Sequence, residues 1–85
     1  MTRYSVSVHI TPRRGVLDPQ GQAVSGALRT LGFTGVKEVH VGRYVIVEAD
    51  AASEQAARED VSRMCERLLA NPVIEDFEIA TVSAK

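Results

Sequence analysis

The sequence predicts an α+β domain in the order β-α-β-β-α-β, and three observations carry that reading. Polar–apolar alternation opens the chain, two stretches repeat apolar residues at helical spacing behind helix-start signals, and valine-rich runs separate them. The result is two β-α-β halves of similar length, ferredoxin-like in outline, with helices on one face of a mainly antiparallel sheet. Residues 1–85 read as one domain without repeats, linkers or low-complexity tracts. That fold hosts many unrelated activities, so it says little about function.

The first strand covers residues 4–10. Tyr4, Val6, Val8 and Ile10 fall on one side and Ser5, Ser7 and His9 on the other, the period of a strand with one buried face. Thr11-Pro12-Arg13-Arg14-Gly15 breaks the pattern, because proline removes a ladder donor and glycine loosens the turn. Asp18-Pro19 then starts a helix: Asp caps free backbone N–H groups and Pro suits the first helical position. Val24, Ala27, Leu28 and Leu31 form its apolar stripe, and Gly32 is a left-handed stop.

Residues 36–49 allow two readings. Gly42-Arg43 is a two-residue hairpin turn, or the chain runs on as one long strand with Val39, Val41, Val45 and Val47 on one face and His40, Tyr44 and Ile46 on the other. Either way there is more apolar sheet surface than two helices cover, which predicts an oligomer. The second helix spans Asp50 to Ala70, capped by Asp50 or Ser53, with Ala57, Val61, Met64, Cys65 and Leu68 as its apolar face. Glu54–Arg58 and Glu59–Arg63 are spaced as i, i+4 ion pairs on its surface. Asn71-Pro72 ends it, with Asn71 as a left-handed cap. A last strand covers 73–82 with Phe77 and Ile79 inward, and its alternation slips around Ile74, the expected place for a bulge.

Composition narrows the function classes. Ten basic residues against eleven acidic ones give a net charge of −1, and no basic stretch offers nucleic acid an electrostatic footprint. The only aromatic residues are Tyr4, Phe33, Tyr44 and Phe77, and Tyr4 and Phe77 read as core, which leaves too few for a base-stacking sheet. A single cysteine excludes an intrachain disulfide and fits a reducing compartment. No apolar run approaches the roughly 20 residues that span a bilayer. The expectation is a cytoplasmic protein that binds neither nucleic acid nor membrane.

The residues supply no catalytic, cofactor-binding or metal constellation. His9 and His40 lie far apart without cysteine or carboxylate at zinc-ligand spacing, so solvated or interface histidines are expected. Cys65 sits mid-stripe and reads as a buried, inert thiol. No glycine-rich phosphate loop is present. What the fold does not explain is Gln20-Gly21-Gln22, poor choices for a helix's first turns. With Arg13 and Arg14 upstream they form a candidate contact for a partner or an anion; the competing reading is a solvated loop.

Several blocks resemble the PurS family of phosphoribosylformylglycinamidine (FGAM) synthase. They are Gly15-Val16-Leu17-Asp18-Pro19-Gln20-Gly21-Gln22-Ala23-Val24, Leu31-Gly32-Phe33, Val39-His40-Val41-Gly42-Arg43 and the run from Met64 to Glu75. Together they reach over nearly the whole chain; the two long blocks are specific, the valine-rich one weaker. The resemblance implies a non-catalytic small subunit of an enzyme of de novo purine (IMP) biosynthesis. That enzyme uses ATP, magnesium and glutamine to convert formylglycinamide ribonucleotide into formylglycinamidine ribonucleotide. The small subunit is implied to dimerise through long shared strands, favouring the long-strand reading, and to bridge an ATP-dependent amidoligase and a glutaminase while ammonia passes between them. Partner contacts are then expected at Arg13, Arg14, Gln20, Gly21, Arg43, Asn71 and Pro72. The alternative is a stand-alone ligand-binding regulatory dimer with its pocket near Gln20 and Arg43.

Overall fold

The computed structural model describes residues 1–15 and 18–85; Val16 and Leu17, part of the first family block, lie outside the described residues. The chain runs β1 (Thr2–Pro12), α1 (Pro19–Thr30), β2 (Arg43–Ala51), α2 (Glu54–Met64), a π-helical turn (Cys65–Leu69) and β3 (Glu75–Ala84). The strands form one three-stranded sheet in the order β2-β1-β3, both pairings antiparallel.

The core follows from the alternation of β1. Val6, Val8 and Ile10 are fully buried and meet Ala57, Val61 and Cys65 of the α2 segment. Val45 and Val47 on β2 and Phe77, Ile79 and Val82 on β3 share that face and are half-buried around it. The slip in the last strand is at Ala80 and not at Ile74. Ser7 pairs with Thr81 and Val8 with Ile79, so one residue bulges out. Without it Thr81 would point into the core; with it Val82 does.

Residues 36–42, the second strand of the expected order, form no ladder within the described residues, and no hairpin closes at Gly42-Arg43. The paired strand begins at Arg43. Residues 36–42 run instead beside α1, antiparallel to it. Asp18 caps α1 by accepting from the Gly21 N–H (3.0 Å) and, with its other oxygen, from the Val41 N–H (3.0 Å). At the far end Arg29 donates to the carbonyls of Val36 (3.2 Å) and Lys37 (2.7 Å). Gly21 sits between: a Cβ there would lie 2.0 Å from the Val39 carbonyl oxygen, so only glycine permits the approach. Its place in the first turn is thereby explained. The end of α1 is as expected, with Gly32 at φ 104° and the Gly32 and Phe33 N–H groups closing back on Arg29 and Leu28.

The expected stripe of α1 does not meet the sheet. α1 packs on neither the strands nor α2, and Val24, Leu31 and Phe33 are 41%, 72% and 59% exposed. The helix and residues 36–42 form an arm, and the molecule is drawn out to 52 × 26 × 14 Å. Its radius of gyration is 16.4 Å, against about 12 Å for a compact chain of this length.

The second helix starts at Glu54 and not at Asp50, which lies in β2; its cap is Ser53, whose hydroxyl accepts from the Ala56 N–H. Its face departs from expectation: Cys65 is buried, but Met64 and Leu68 point outward. The π-helical turn, with the Ala70 N–H bonded to the Cys65 carbonyl, adds a residue per turn and brings Leu69 and Ala70 round to the core. The two i, i+4 pairs are replaced by Arg63 with Asp60 and Gln55 with Glu59. Asn71 is not left-handed either, since no described non-glycine residue has positive φ. Its side chain accepts from the Val73 N–H in an Asx turn.

Candidate functional site

The seven residues expected at partner contacts fall into two groups at the same end of the sheet. The first gathers on Glu75, the opening residue of β3. Arg43, opening β2, donates to the Glu75 carboxylate at 2.6 Å, and the Asn71 N–H donates to the same oxygen at 2.8 Å. Arg13, following β1, donates to the Glu75 carbonyl at 3.4 Å and pairs with Asp76 at 3.2 Å, while its own N–H holds the Ile74 carbonyl. Pro72 borders a small cleft beside this knot with Arg13, Cys65, Glu66 and Phe77. The β2 end and the α2–β3 corner are thereby tied to the Glu75 carboxylate, and the β1 end to the Glu75 carbonyl and the Asp76 carboxylate. Glu75 was not singled out from the sequence, because an acidic residue after Val-Ile carries no signal until Arg13 and Arg43 come together in space.

The second group lies where the arm leaves the sheet. Arg14 and Gly15 face an open crook lined also by Asp18, Gly21, Arg29, Lys37 and His40. Gln20 is exposed on the first turn of α1. His40 stands between two carboxylates, 3.9 Å from Asp18 and 3.4 Å from Glu38. The backbone N–H groups of Gly21 and then Val41 hold the Asp18 carboxyl below its ordinary pKa, helped by His40 and opposed by desolvation. Asp18 is therefore a structural anion joining helix to segment. Its second oxygen's bond, 23 residues away in sequence, was invisible to a reading of caps.

The remaining reactive residues, Cys65 and His9, take no part in the hydrogen bonds of either group. Cys65 is fully buried, and burial, then the Glu66 charge, pushes its thiol pKa up, away from the reactive thiolate. His9 lies on the outer sheet face with its ring 4.9 Å from that of Tyr44. Among the described residues no three His, Cys, Asp or Glu side chains gather as metal ligands, and no helix is long and apolar enough to cross a membrane.

A small α+β module whose polar clusters tie strand ends and an outlying helix, with apolar surface left open, has the anatomy of an assembly subunit. Residues 5–83 match the family model PurS, phosphoribosylformylglycinamidine (FGAM) synthase. The chain belongs to that family. It is 42% identical over 76 residues to the FGAM synthase subunit PurS of Methanocaldococcus jannaschii, covering 89% of this chain and 92% of that one. The corresponding subunit of Archaeoglobus fulgidus is 43% identical over 72 residues, covering 85% and 90%. Among solved structures, a chain of PurLQS from Thermotoga maritima superposes with a TM-score of 0.82 at 30% identity over 100% of both chains. Methanocaldococcus jannaschii PurS, one of the subunits of formylglycinamide ribonucleotide amidotransferase in purine biosynthesis, superposes at 0.80 with 41% identity over 94% and 95%.

Proposed function

We infer that this chain is the small structural subunit of a multi-protein FGAM synthase in cytoplasmic purine biosynthesis, standing between the ATP-using amidoligase and the glutaminase. The observation that carries the reading is the full-length similarity to a chain solved within PurLQS. The chemistry gives such a subunit a purpose. Ammonia released at one active site is protonated or lost to water unless the second site is held close and in register. ATP, magnesium and glutamine belong on this reading to the larger subunits. Arg13, Arg43, Asn71 and Pro72 at the strand-end knot, with Arg14, Gln20 and Gly21 at the root of the arm, face those subunits. The chain also associates with itself.

The test is reconstitution. The two larger subunits alone should show little glutamine-dependent FGAM formation, and adding this chain should restore it. Full activity without the chain would overturn the reading, as would tight binding of a purine-pathway metabolite to the isolated chain with no effect on synthase activity. The second outcome belongs to a regulatory dimer.

A further inference from the structure

We propose that the cleft between α1 and residues 36–39 binds the phosphate group of a small molecule, through the Ser25 hydroxyl and the cations of Arg29 and Lys37. The site needs nothing from the synthase reading above: a chain that failed in reconstitution would still be expected to bind. Three features of the arm support it.

The first is an unmet hydroxyl. Gln22, Ser25 and Arg29, at i, i+3 and i+7, line the crook from one side of α1, and Lys37 lines it from the facing segment. Ser25 is only 5% exposed, on a helix whose side chains mostly face water, and its Oγ has no hydrogen-bond partner among the described residues. Thr30 shows the usual remedy on the same helix, its hydroxyl donating to the Gly26 carbonyl at 3.1 Å. Ser25 makes no such bond, and a buried hydroxyl left unpaired is costly unless something else meets it.

The second is a pair of cations without a counter-charge. Arg29 lies one turn beyond Ser25 and donates to the carbonyls of Val36 and Lys37, at 3.2 and 2.7 Å. Those acceptors are neutral, so the guanidinium charge stays uncancelled, and its five N–H groups leave donors over. Among the described residues no carboxylate pairs with Arg29 or Lys37. The carboxylates of the crook are engaged elsewhere. Asp18 accepts from the Gly21 and Val41 N–H groups, Glu38 stands 3.4 Å from His40, and Asp76 stands 3.2 Å from Arg13.

The third is the character of the lining. It contains no Phe, Tyr or Trp, and Pro12 and Val39 are its only large apolar side chains, so a base or an apolar group has nothing to rest on. A guanidinium fork, an ammonium and a hydroxyl suit the oxygens of a tetrahedral dianion. A planar carboxylate has two oxygens for these three donors, whereas a phosphate has one for each. The open side of the crook leaves room for the remainder of a phosphate monoester.

The test is an NMR titration of the isolated, isotope-labelled native chain at constant ionic strength. Inorganic phosphate and ribose-5-phosphate should each shift the amides of Ser25, Gly26 and Lys37 to saturation and leave those of β1 in place, while acetate should move neither set. Ser25→Ala, a favourable substitution in a helix, should weaken binding about tenfold, the worth of one hydrogen bond to a charged group. Lys37→Gln should weaken it to a similar extent, and Arg67→Gln, which removes an exposed cation from the π-helical turn, should not. Tighter binding of ribose-5-phosphate would identify a monoester as the ligand, and tighter binding of inorganic phosphate the free ion. Shifts that grow without saturating, acetate acting as phosphate does, or native affinity in Ser25→Ala would overturn the site. So would an equal loss in Arg67→Gln, which would reduce the effect to overall charge.

Discussion

The sheet with α2 and the arm with α1 are built from similar residues and held by opposite means. In the sheet body, Val6, Val8, Ile10, Val61 and Cys65 are fully out of water, and the polar contacts lie at its margins. In the arm, the apolar side chains face outward, while one carboxylate, one guanidinium and a glycine contact fasten the backbone. A body of the first kind draws its stability from burial. An arm of the second kind has a defined shape but little burial, which is what a connecting element needs if its apolar face is to meet another chain.

The largest expected effect breaks the body. Ile10→Ala removes a fully buried side chain from the middle of the core and should lower unfolding free energy by about 2–5 kcal/mol in a denaturant titration. A change under about 1 kcal/mol would mean the body is no better packed than the arm. Gly21→Ala should act on the other region. Its Cβ would meet the Val39 carbonyl oxygen and the Asp18 carboxylate, at 2.0 and 2.5 Å. Overpacking of that kind costs about 1–3 kcal/mol. Hydrogen exchange should show the Val41 amide losing protection while the amides of β1 keep theirs. Equal loss in both would show that the arm is not a separate unit.

The arm also carries a pH dependence. The folded state holds the Asp18 carboxyl below its ordinary value through the Gly21 and Val41 N–H groups. A depressed carboxyl pKa contributes stability that is fully present above its unfolded value, near about 3.9, and is lost as pH falls through the folded value. Protection of the Val41 amide should therefore be flat down to about pH 5 and decline below about pH 4. Asp18→Asn should remove that acid limb while leaving β1 unchanged. A Val41 amide equally protected at pH 3 and pH 6 would show that the carboxylate is not the fastening.

How much of this was legible follows the same division. β1, both helix starts and the Gly32 stop are local matters, written in alternation, in Asp18-Pro19 and Ser53, and in one glycine. Three features depend on partners distant in sequence. The Ala80 bulge exists because β3 must keep both Ile79 and Val82 on the core face against β1. The π-helical turn brings Leu69 and Ala70 to the core where regular helical spacing would bring Leu68. The stripe on α1 was read correctly as apolar, but no pattern in one chain says whose surface it covers. Of the candidate site, Arg13, Arg43 and Asn71 were visible as residues, whereas their common partner Glu75 appears only once three strand ends converge.

The smallest effect is the sharpest control on the comparison. Arg63 donates to Asp60 along one turn of α2, and both side chains are largely in solvent. Ion pairs of this kind contribute a few tenths of a kcal/mol, because water and salt screen them and two flexible side chains must be ordered. Beneath them Val61 and Cys65 already hold the helix to β1. Arg63→Ala should therefore lower the melting temperature by no more than about 2 °C, and raising the salt concentration should change it no further. A drop of about 5 °C or more would mean that surface charge, and not burial, fastens α2. The body would then be built as the arm is, and the distinction between the two regions would be lost.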